Sequence, residues 1–172
     1  MTAPEHVLGL LQALGLNADP ETLRTPERFT EFLAAYDPRR DAPTLEVLDA
    51  TSQDPIVLRG LPFYSLCAHH LLPFFGTVSI AYVPDGRIAG LGGFARIVED
   101  LSRRTQLQER LTEQIADLLV EQLQPQGVGV RIEGRHMCME MRGPKVKSQI
   151  ETTAWRGPLC DDPYLRALLS AK

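Results

Sequence analysis

The chain has 172 residues, of which 44% are hydrophobic and 23% charged, a composition typical of one compact domain with a small appendage. Its net charge of −4 argues against nucleic-acid binding, which normally requires a basic surface, although a local arginine cluster can still bind an anionic substrate. Three cysteines form no disulfide framework and indicate a reducing compartment. The sequence shows neither a secretory signal nor an apolar stretch of membrane-spanning length, so we expect a soluble cytoplasmic protein that binds no membrane.

Residues 1–40 predict a helical arm. Leucines recur there with helical spacing, and Asp19-Pro20 and Thr25-Pro26 each combine an N-cap residue with proline at the first helical position. The segment 37–43 is polar and interrupted by prolines, which is typical of a linker. We therefore expect a boundary here and a main domain over residues 41–172.

The main domain begins with strand patterns, continues with helical patterns and ends with further strands. Its predicted elements are two short strands at 56–58 and 63–64 beside turns, a strand at 76–83, helices at 94–101 and 107–123, a strand from 128 past Gly134, a strand at 148–155 and a helix at 163–169. This order indicates an α+β fold rather than a repeating βαβ unit.

Two short segments concentrate the cysteines and histidines of the chain. They are Cys67-Ala68-His69-His70 and His136-Met137-Cys138, and they hold three of the four histidines and two of the three cysteines. Each residue taken singly is more often a buried inert thiol or a hydrogen-bonded structural histidine. Thiolate and imidazole are, however, the ligands that zinc prefers, and the C-x-x-H spacing lets one turn direct both side chains to a common point. Taken together, the residues predict a metal site.

A strand over residues 136–143 would alternate its side chains between two faces. One face would then carry the chemically active groups His136, Cys138, Glu140 and Arg142. The other would carry three methionines that pack in the core. This alternation predicts that the first face lines a site.

The number of ligands indicates a catalytic metal rather than a structural one. Cys67, His70 and Cys138 make three protein ligands, whereas a structural zinc closes four. His69 and His136 remain free for acid–base chemistry, since imidazole titrates near neutrality. The expected cofactor is therefore Zn²⁺ with one position left for water.

At these residues the chain resembles GTP cyclohydrolase I. The resemblance lies in four ordered blocks at residues 63–76 (FYSLCAHHLLPFFG), 95–99 (ARIVE), 106–112 (QLQERLT) and 136–143 (HMCMEMRG), and more loosely in the arm at Thr25-Pro26-Glu27-Arg28. It implies a tunnelling fold for the catalytic domain, in which antiparallel sheets with helices on one face join into an oligomeric barrel. It also implies a homodecamer of two pentamers with active sites at subunit boundaries.

The resemblance further implies hydrolytic opening of the guanine ring of GTP at C8, with loss of formate and rearrangement to 7,8-dihydroneopterin triphosphate. Cys67, His70 and Cys138 would hold zinc, His136 would protonate N7, and His69 would assist the later steps. The remaining implied contacts are Gln108 and Glu109 on the guanine edge and Arg96, Arg142 and Arg28 on the phosphates. The alternatives are solvated surface charges for the arginines and a carboxylate favouring the helix dipole for Glu109.

The sequence departs from the family pattern at three places. Ala68 stands where the family usually has Glu, Gly92-Gly93 where it has Ser-Lys, and Glu31 where it often has Lys. These differences reduce the positive charge expected around a triphosphate. Three readings therefore remain open: an authentic enzyme with a rearranged phosphate site, a paralogue acting on a less phosphorylated guanine nucleoside or modified purine, and a catalytically weak binding subunit.

Overall fold

The computed structural model describes residues 1–37, 39, 43–51 and 53–170. The chain divides into two compact units, Met1–Asp37 and Pro38–Lys172. The boundary predicted at residues 40 and 41, and much of the predicted linker, lie outside the described residues.

The first unit consists of two α-helices and a 3₁₀ turn. Helix α1 is Ala3–Ala13, the turn is Pro20–Arg24, and α2 is Thr25–Ala34. The predicted N-cap at Asp19 is confirmed, because its carboxylate accepts a hydrogen bond from the Glu21 backbone N–H at 2.9 Å. A helix also begins at Thr25, but the predicted N-cap role of Thr25 is wrong, since Arg24 is the N-cap residue and Thr25 is the first residue of the helix. The signal at Asp19, however, opens only the 3₁₀ turn.

The second unit is built around a five-stranded sheet. The strands of this unit, in chain order, are β1 Val47–Asp49, β2 Ile56–Cys67, β3 Pro73–Val83, β4 Arg87–Ala89, β5 Thr105–Gln106, β6 Gly127–His136 and β7 Gln149–Arg156. The sheet order is β5-β2-β3-β6-β7, and β1 pairs separately with β4. All pairs are antiparallel except the short one between β2 and β5. With the helices, this arrangement confirms the α+β class.

The helices of this unit cover both faces of the sheet. They are α3 Leu91–Ser102, α4 Gln108–Leu123, α5 Met137–Glu140 and α6 Pro163–Ser170. The main core joins α3 and α4 to alternate residues of the sheet such as Ile80 and Tyr82. Their neighbours Ala81 and Val83 point the other way and pack against α6. The prediction that all helices lie on one face is therefore wrong for α6, because this end of β3 is apolar on both faces and each face needs a cover.

The two short strands predicted at 56–58 and 63–64 are one continuous strand. The pairing register of β2 with β3 shifts between Leu58 and Leu61, and Gly60 between them has a positive φ of 69°. Gly60 therefore marks a β-bulge between the two predicted strands, where a turn was expected, and a bulge inserts a residue without ending the strand.

The strand predicted over residues 136–143 does not form. Strand β6 ends at His136, where its last partner is Phe74, and residues 137–140 turn into α5. The neighbouring strand starts at Pro73, whose nitrogen carries no hydrogen, so β6 has no further partner for its ladder. The predicted methionine packing also fails at Met141, which is 65% exposed.

No helix in the described part of the chain is both long and apolar enough to cross a membrane.

Candidate active site

The residues predicted as metal ligands lie close together in space. The donor atoms of Cys67, His70 and Cys138 all lie within 4.8 Å of one another. Cys67 ends β2, His70 lies in the turn that follows, and Cys138 lies on α5. The turn holds the first two in place, because the Cys67 carbonyl accepts hydrogen bonds from the His70 and Leu71 backbone N–H groups.

This group of donors suits a zinc ion. Zinc binds Cys sulfur at about 2.3 Å and His nitrogen at about 2.0–2.1 Å, and Cys67 Sγ lies 3.8 Å from His70 Nδ1, a separation at which one ion can reach both atoms. The cysteines are free thiols. Burial, together with the hydrogen bond to Cys67, raises the pKa of Cys138 above its ordinary value. A cation between the two sulfurs would reverse this effect, because it stabilises the thiolates.

The two remaining histidines are placed differently from each other. The exposed His69 has its Nδ1 4.0 Å from Cys67 Sγ. His136 is half-buried at the end of β6, where its ring stacks on Phe74 with centroids 4.8 Å apart and an interplanar angle of 11°. Burial lowers the pKa of His136, and the nearby Glu109 carboxylate partly offsets that effect. A depressed pKa keeps the resting imidazole neutral near pH 7.

Gln108 lies behind His136 and is almost fully buried, with 1% of its surface exposed. Its Oε1 lies 2.9 Å from His136 Nε2. Its Nε2 donates to the carbonyl oxygens of Ile132 and Ile150 and to the Thr152 hydroxyl, at 3.2, 3.0 and 3.1 Å. The side-chain amide is therefore fully engaged by the protein.

A cavity of about 210 Å³ opens between these groups. It is lined by the predicted residues Cys67, His69, Gln108, Glu109, His136 and Cys138, and by Phe74, Gln106, Leu107, Met139 and Ile150. Cavities that enclose a small ligand usually measure about 300–1,000 Å³, so this one is small for a nucleotide. A larger cavity of about 430 Å³ lies in the arm, but its lining includes neither histidine nor cysteine.

The three predicted phosphate ligands differ in their surroundings. An Arg142 N–H donates to His70 Nε2, so this arginine stands beside the metal ligands. Arg96 is exposed on α3 and is not among the residues that line the cavity. Arg28 is exposed on α2, in the other unit of the chain. Among the described residues of the second unit, Arg142 therefore contacts the donor group, whereas Arg96 does not line the cavity.

Comparison with known proteins gives a consistent result. A family model described as GTP cyclohydrolase I matches residues 3–171. GTP cyclohydrolase 1 of Campylobacter lari is 44% identical over 164 residues, covering 89% of this chain and 84% of that protein. The Streptococcus pyogenes serotype M49 protein of the same name is 46% identical over 164 residues, covering 90% and 84%.

The chain belongs to the GTP cyclohydrolase I family. The resemblance seen in the four sequence blocks is thereby confirmed, and the chain is a hydrolase of this family, which serves pterin biosynthesis. Among solved structures, an archaeosine synthase QueF-Like in the apo form matches with a TM-score of 0.49 and 21% identity over 62% of this chain and 97% of that one. That likeness is too low to bear on the fold.

Three residues that support this GTP cyclohydrolase I site have no role predicted from the sequence. Phe74 lies in the block of resemblance at 63–76 and outside the predicted strands, yet it stacks on His136. Thr112 and Thr152 share a hydrogen bond of 2.6 Å between their hydroxyls, and both contact Gln108. The contact between Thr112 and Gln108 could have been predicted, because the two residues are one helical turn apart on α4. Thr152 lies on β7, far along the chain, so its contact could not.

Proposed function

We propose that this chain catalyses the zinc-dependent hydrolysis of GTP at C8 of its guanine ring. The reaction releases formate and rearranges the product to 7,8-dihydroneopterin triphosphate. Family membership supports the activity. The observation that carries the zinc chemistry is the convergence of Cys67, His70 and Cys138 within 4.8 Å beside a cavity that also holds His136 and Glu109.

Cys67, His70 and Cys138 would hold the zinc ion, as three protein ligands do in catalytic zinc sites. When bound, the ion would supply the chemistry of water activation near neutral pH. The remaining catalytic tasks are proton transfers. His69 and His136 are the side chains that we assign to them.

His136 is suited to protonate N7 of the guanine. Its Nε2 is engaged by Gln108, so Nδ1 is the nitrogen available to the substrate. The neutral ring must first take up a proton from solvent at Nδ1. Because burial lowers the pKa of His136, the resulting imidazolium is a stronger acid than free imidazolium and passes this proton to N7 more readily. The exposed His69 has more freedom to move, which suits the later opening of the ribose.

Glu109 is the best candidate for recognition of the guanine edge. Glu109 is exposed at the cavity wall, in the first turn of α4. Among the described contacts, its side chain forms no hydrogen bond with that of Gln108. A carboxylate accepts hydrogen bonds from adjacent N–H groups of guanine in pairs. The resemblance assigns the guanine edge to Gln108 as well, but the hydrogen bonds of Gln108 to Ile132, Ile150 and His136 favour a different role.

We assign the phosphates to Arg142, beside the proposed metal ligands, together with Arg96 and Arg28. Arginine suits this role because its planar fork binds phosphate oxygens in pairs. We infer that the site is completed by neighbouring subunits of a homo-oligomeric tunnelling-fold barrel, a decamer of two pentamers. The small cavity of about 210 Å³ in a single chain supports this.

A second candidate is the same reaction on a less phosphorylated guanine nucleoside. It is favoured by the packing of Gly93, at one of the positions where family members usually have Ser-Lys. A Cβ at Gly93 would lie 2.7 Å from the Cδ2 of the buried Leu45, so this chain has filled the space with an apolar side chain. No cation can occupy this position without moving Leu45.

One experiment distinguishes these candidates. Purified protein loaded with zinc is mixed with GTP, GDP, GMP and guanosine, and formate release and pterin fluorescence are measured. The first proposal expects the highest kcat/KM on GTP, and the second expects GMP or guanosine to exceed GTP. Absence of formate from all four substrates would contradict both and leave a binding subunit as the remaining reading.

We also propose that the enzyme works in the cytoplasm. The three cysteines are all unpaired, which is the state that a reducing compartment maintains.

A further inference from the structure

We propose that Gln108 is a positioning residue, which fixes the orientation and tautomer of the His136 imidazole, and that it does not read the guanine base. The inference rests on the proposed function only for the reaction in which His136 acts. Its structural part concerns four neighbouring elements, the start of α4, the strands β6 and β7, and the Phe74 end of β3.

The contacts of Gln108 decide which way its side-chain amide points. One end faces the backbone carbonyl oxygens of Ile132 and Ile150, at 3.2 and 3.0 Å. Carbonyl oxygens only accept hydrogen bonds, so this end must be the NH₂ group. The other end, facing His136 Nε2 at 2.9 Å, must then be the amide oxygen.

The hydrogen bonds of two threonine hydroxyls are consistent with this orientation of the Gln108 amide. The Thr112 hydroxyl donates to the Gln108 backbone carbonyl at 2.7 Å. It can therefore only accept from the Thr152 hydroxyl, 2.6 Å away. The Thr152 oxygen is left to accept from Gln108 Nε2 at 3.1 Å. Each hydroxyl hydrogen of this relay has one consistent position, and the two amide hydrogens of Gln108 are shared among three acceptors, so a reversed amide is unfavourable.

The fixed amide oxygen determines the state of His136. Because an amide oxygen only accepts, His136 Nε2 must carry the hydrogen, and in the neutral ring Nδ1 carries the lone pair. Phe74 fixes the plane of the ring by stacking on it at 4.8 Å. Stacking therefore fixes the plane of the imidazole ring, and the hydrogen bond to Gln108 fixes its rotation within that plane. Nδ1 remains free for proton transfer.

The packing around the amide leaves little room for another role. A Cβ at Gly134 would lie 2.3 Å from Gln108 Oε1, so β6 has no side chain at the point where this oxygen sits. Gln108 is only 1% exposed, and its two amide hydrogens already face three protein acceptors, namely the carbonyl oxygens of Ile132 and Ile150 and the Thr152 hydroxyl. Any donation to a guanine oxygen would leave a buried carbonyl without its partner, which costs free energy.

The test compares Gln108→Met with Gln122→Met. Methionine keeps the length of the side chain and removes its hydrogen bonds. Gln122 is the matched control, because it lies on the same helix and its amide joins Pro43 and Leu45 instead of the site. We expect Gln108→Met to lower kcat about 10–100-fold with little change in KM, as is typical for residues that orient a catalytic ligand or base, while Gln122→Met keeps kcat.

Binding of 7-deaza-GTP separates positioning from base recognition. This analogue lacks N7, the atom that His136 would protonate, but keeps the other edge of the guanine. Its Kd should be unchanged by Gln108→Met. A weaker Kd together with an unchanged kcat would overturn the proposal in favour of base recognition, and an equal loss of kcat in Gln122→Met would reduce the role of Gln108 to folding.

A second pair of variants decides the question if Gln108→Met does not fold. Thr152 is not among the residues that line the cavity, so Thr152→Val disturbs only the relay, and Thr152→Ser restores the hydroxyl. We expect kcat to fall in the valine variant and to recover in the serine variant. Equal kcat in both would contradict the relay.

A readout that needs no turnover keeps this inference separate from the proposed function. Magic-angle-spinning NMR of ¹⁵N-histidine-labelled protein reports the tautomer of each of the four histidines. We expect an Nε2–H signal for His136 in the wild type and its loss or mixing in Gln108→Met. An Nδ1–H tautomer in the wild type would overturn the inference, even if GTP is hydrolysed; the expected tautomer in a protein inert to all nucleotides would overturn only the function.

Discussion

At the scale of single residues, the proposed metal donors come from two segments that the fold joins. Cys67 and His70 are held by one turn, which is closed by hydrogen bonds from the backbone N–H groups of His70 and Leu71 to the Cys67 carbonyl at 3.3 and 2.8 Å. Cys138 arrives from α5, and the metal is held only if both segments contribute. Removal of Cys138 leaves two donors, too few for tight binding of zinc.

We therefore predict that Cys138→Ser loses zinc and activity together. Serine keeps the size of the side chain, but its hydroxyl stays protonated and is a poor zinc ligand. Elemental analysis after dialysis against a chelator measures the metal per chain. Cys160→Ser is the control, since Cys160 lies outside the donor group and its loss should leave zinc in place. Full zinc retention by Cys138→Ser would remove Cys138 from the metal site.

His136→Ala should separate chemistry from metal binding. The variant keeps all three donors, so its zinc content should match that of the wild type. It removes the proton donor, which for general acid–base catalysis typically costs about 10²–10⁴-fold in kcat. Steady-state formate release measures this loss, and turnover near the wild-type rate would show that His136 is dispensable.

The donor residues were predictable from the sequence because their chemistry is local. Cys67 and His70 stand in C-x-x-H spacing. The second segment adds one imidazole, His136, and one thiol, Cys138, two residues apart in the sequence. The support of His136 was not predictable, because strand pairing across the sheet brings Phe74 to His136 and Thr152 to Gln108. Such contacts depend on register, which a single sequence does not specify.

At the scale of elements, the segment after His136 shows how a neighbouring strand can override a local pattern. Its alternation of methionines with reactive residues fits a strand, but β3 offers no partner beyond Phe74, so the chain turns into α5. The turn is closed by Arg135, which forms a paired ion contact with Glu140 through Nε and Nη2 at 2.9 and 2.6 Å. The predicted helices α3 and α4, in contrast, form as expected, because their apolar stripes are long and pack on the main core.

The Arg135–Glu140 contact should make stability depend on pH. Arg135 lowers the pKa of Glu140, so the contact stabilises the fold above the ordinary pKa of Glu, about 4.3, and is lost as pH falls through the lower folded value. Glu140→Gln should thus lower the thermal midpoint at pH 7, and the gap to the wild type should close toward pH 3. Thermal unfolding across this range measures the gap.

Glu99→Gln is the matched control for this prediction. It breaks the exposed contact between Glu99 and Arg103, at 3.3 Å on the surface of α3, where an ion pair contributes about 0–1 kcal/mol. We expect its thermal midpoint to stay near that of the wild type at every pH. A gap for Glu140→Gln that is constant from pH 3 to pH 7 would contradict the role of the Glu140 charge.

At the scale of the whole molecule, the sheet has two open edges. In the described part of the chain, β7 pairs with β6 on one side and with no strand on the other. On the opposite side, β5 covers β2 only at Leu66 and Cys67, so the stretch from Ile56 to Ser65 is an edge as well. Unprotected edges of this length favour pairing with another chain, and natural proteins usually cover them.

We therefore predict that the protein in solution is a closed homo-oligomer in which an edge of one sheet joins an edge of the next. Light scattering coupled to size-exclusion chromatography should give an integral multiple of 19.1 kDa, ten for the proposed decamer. Because the cavity of one chain measures only about 210 Å³, turnover per subunit should fall when dilution dissociates the assembly. A species of 19.1 kDa with full turnover would contradict both the paired edges and the shared active site.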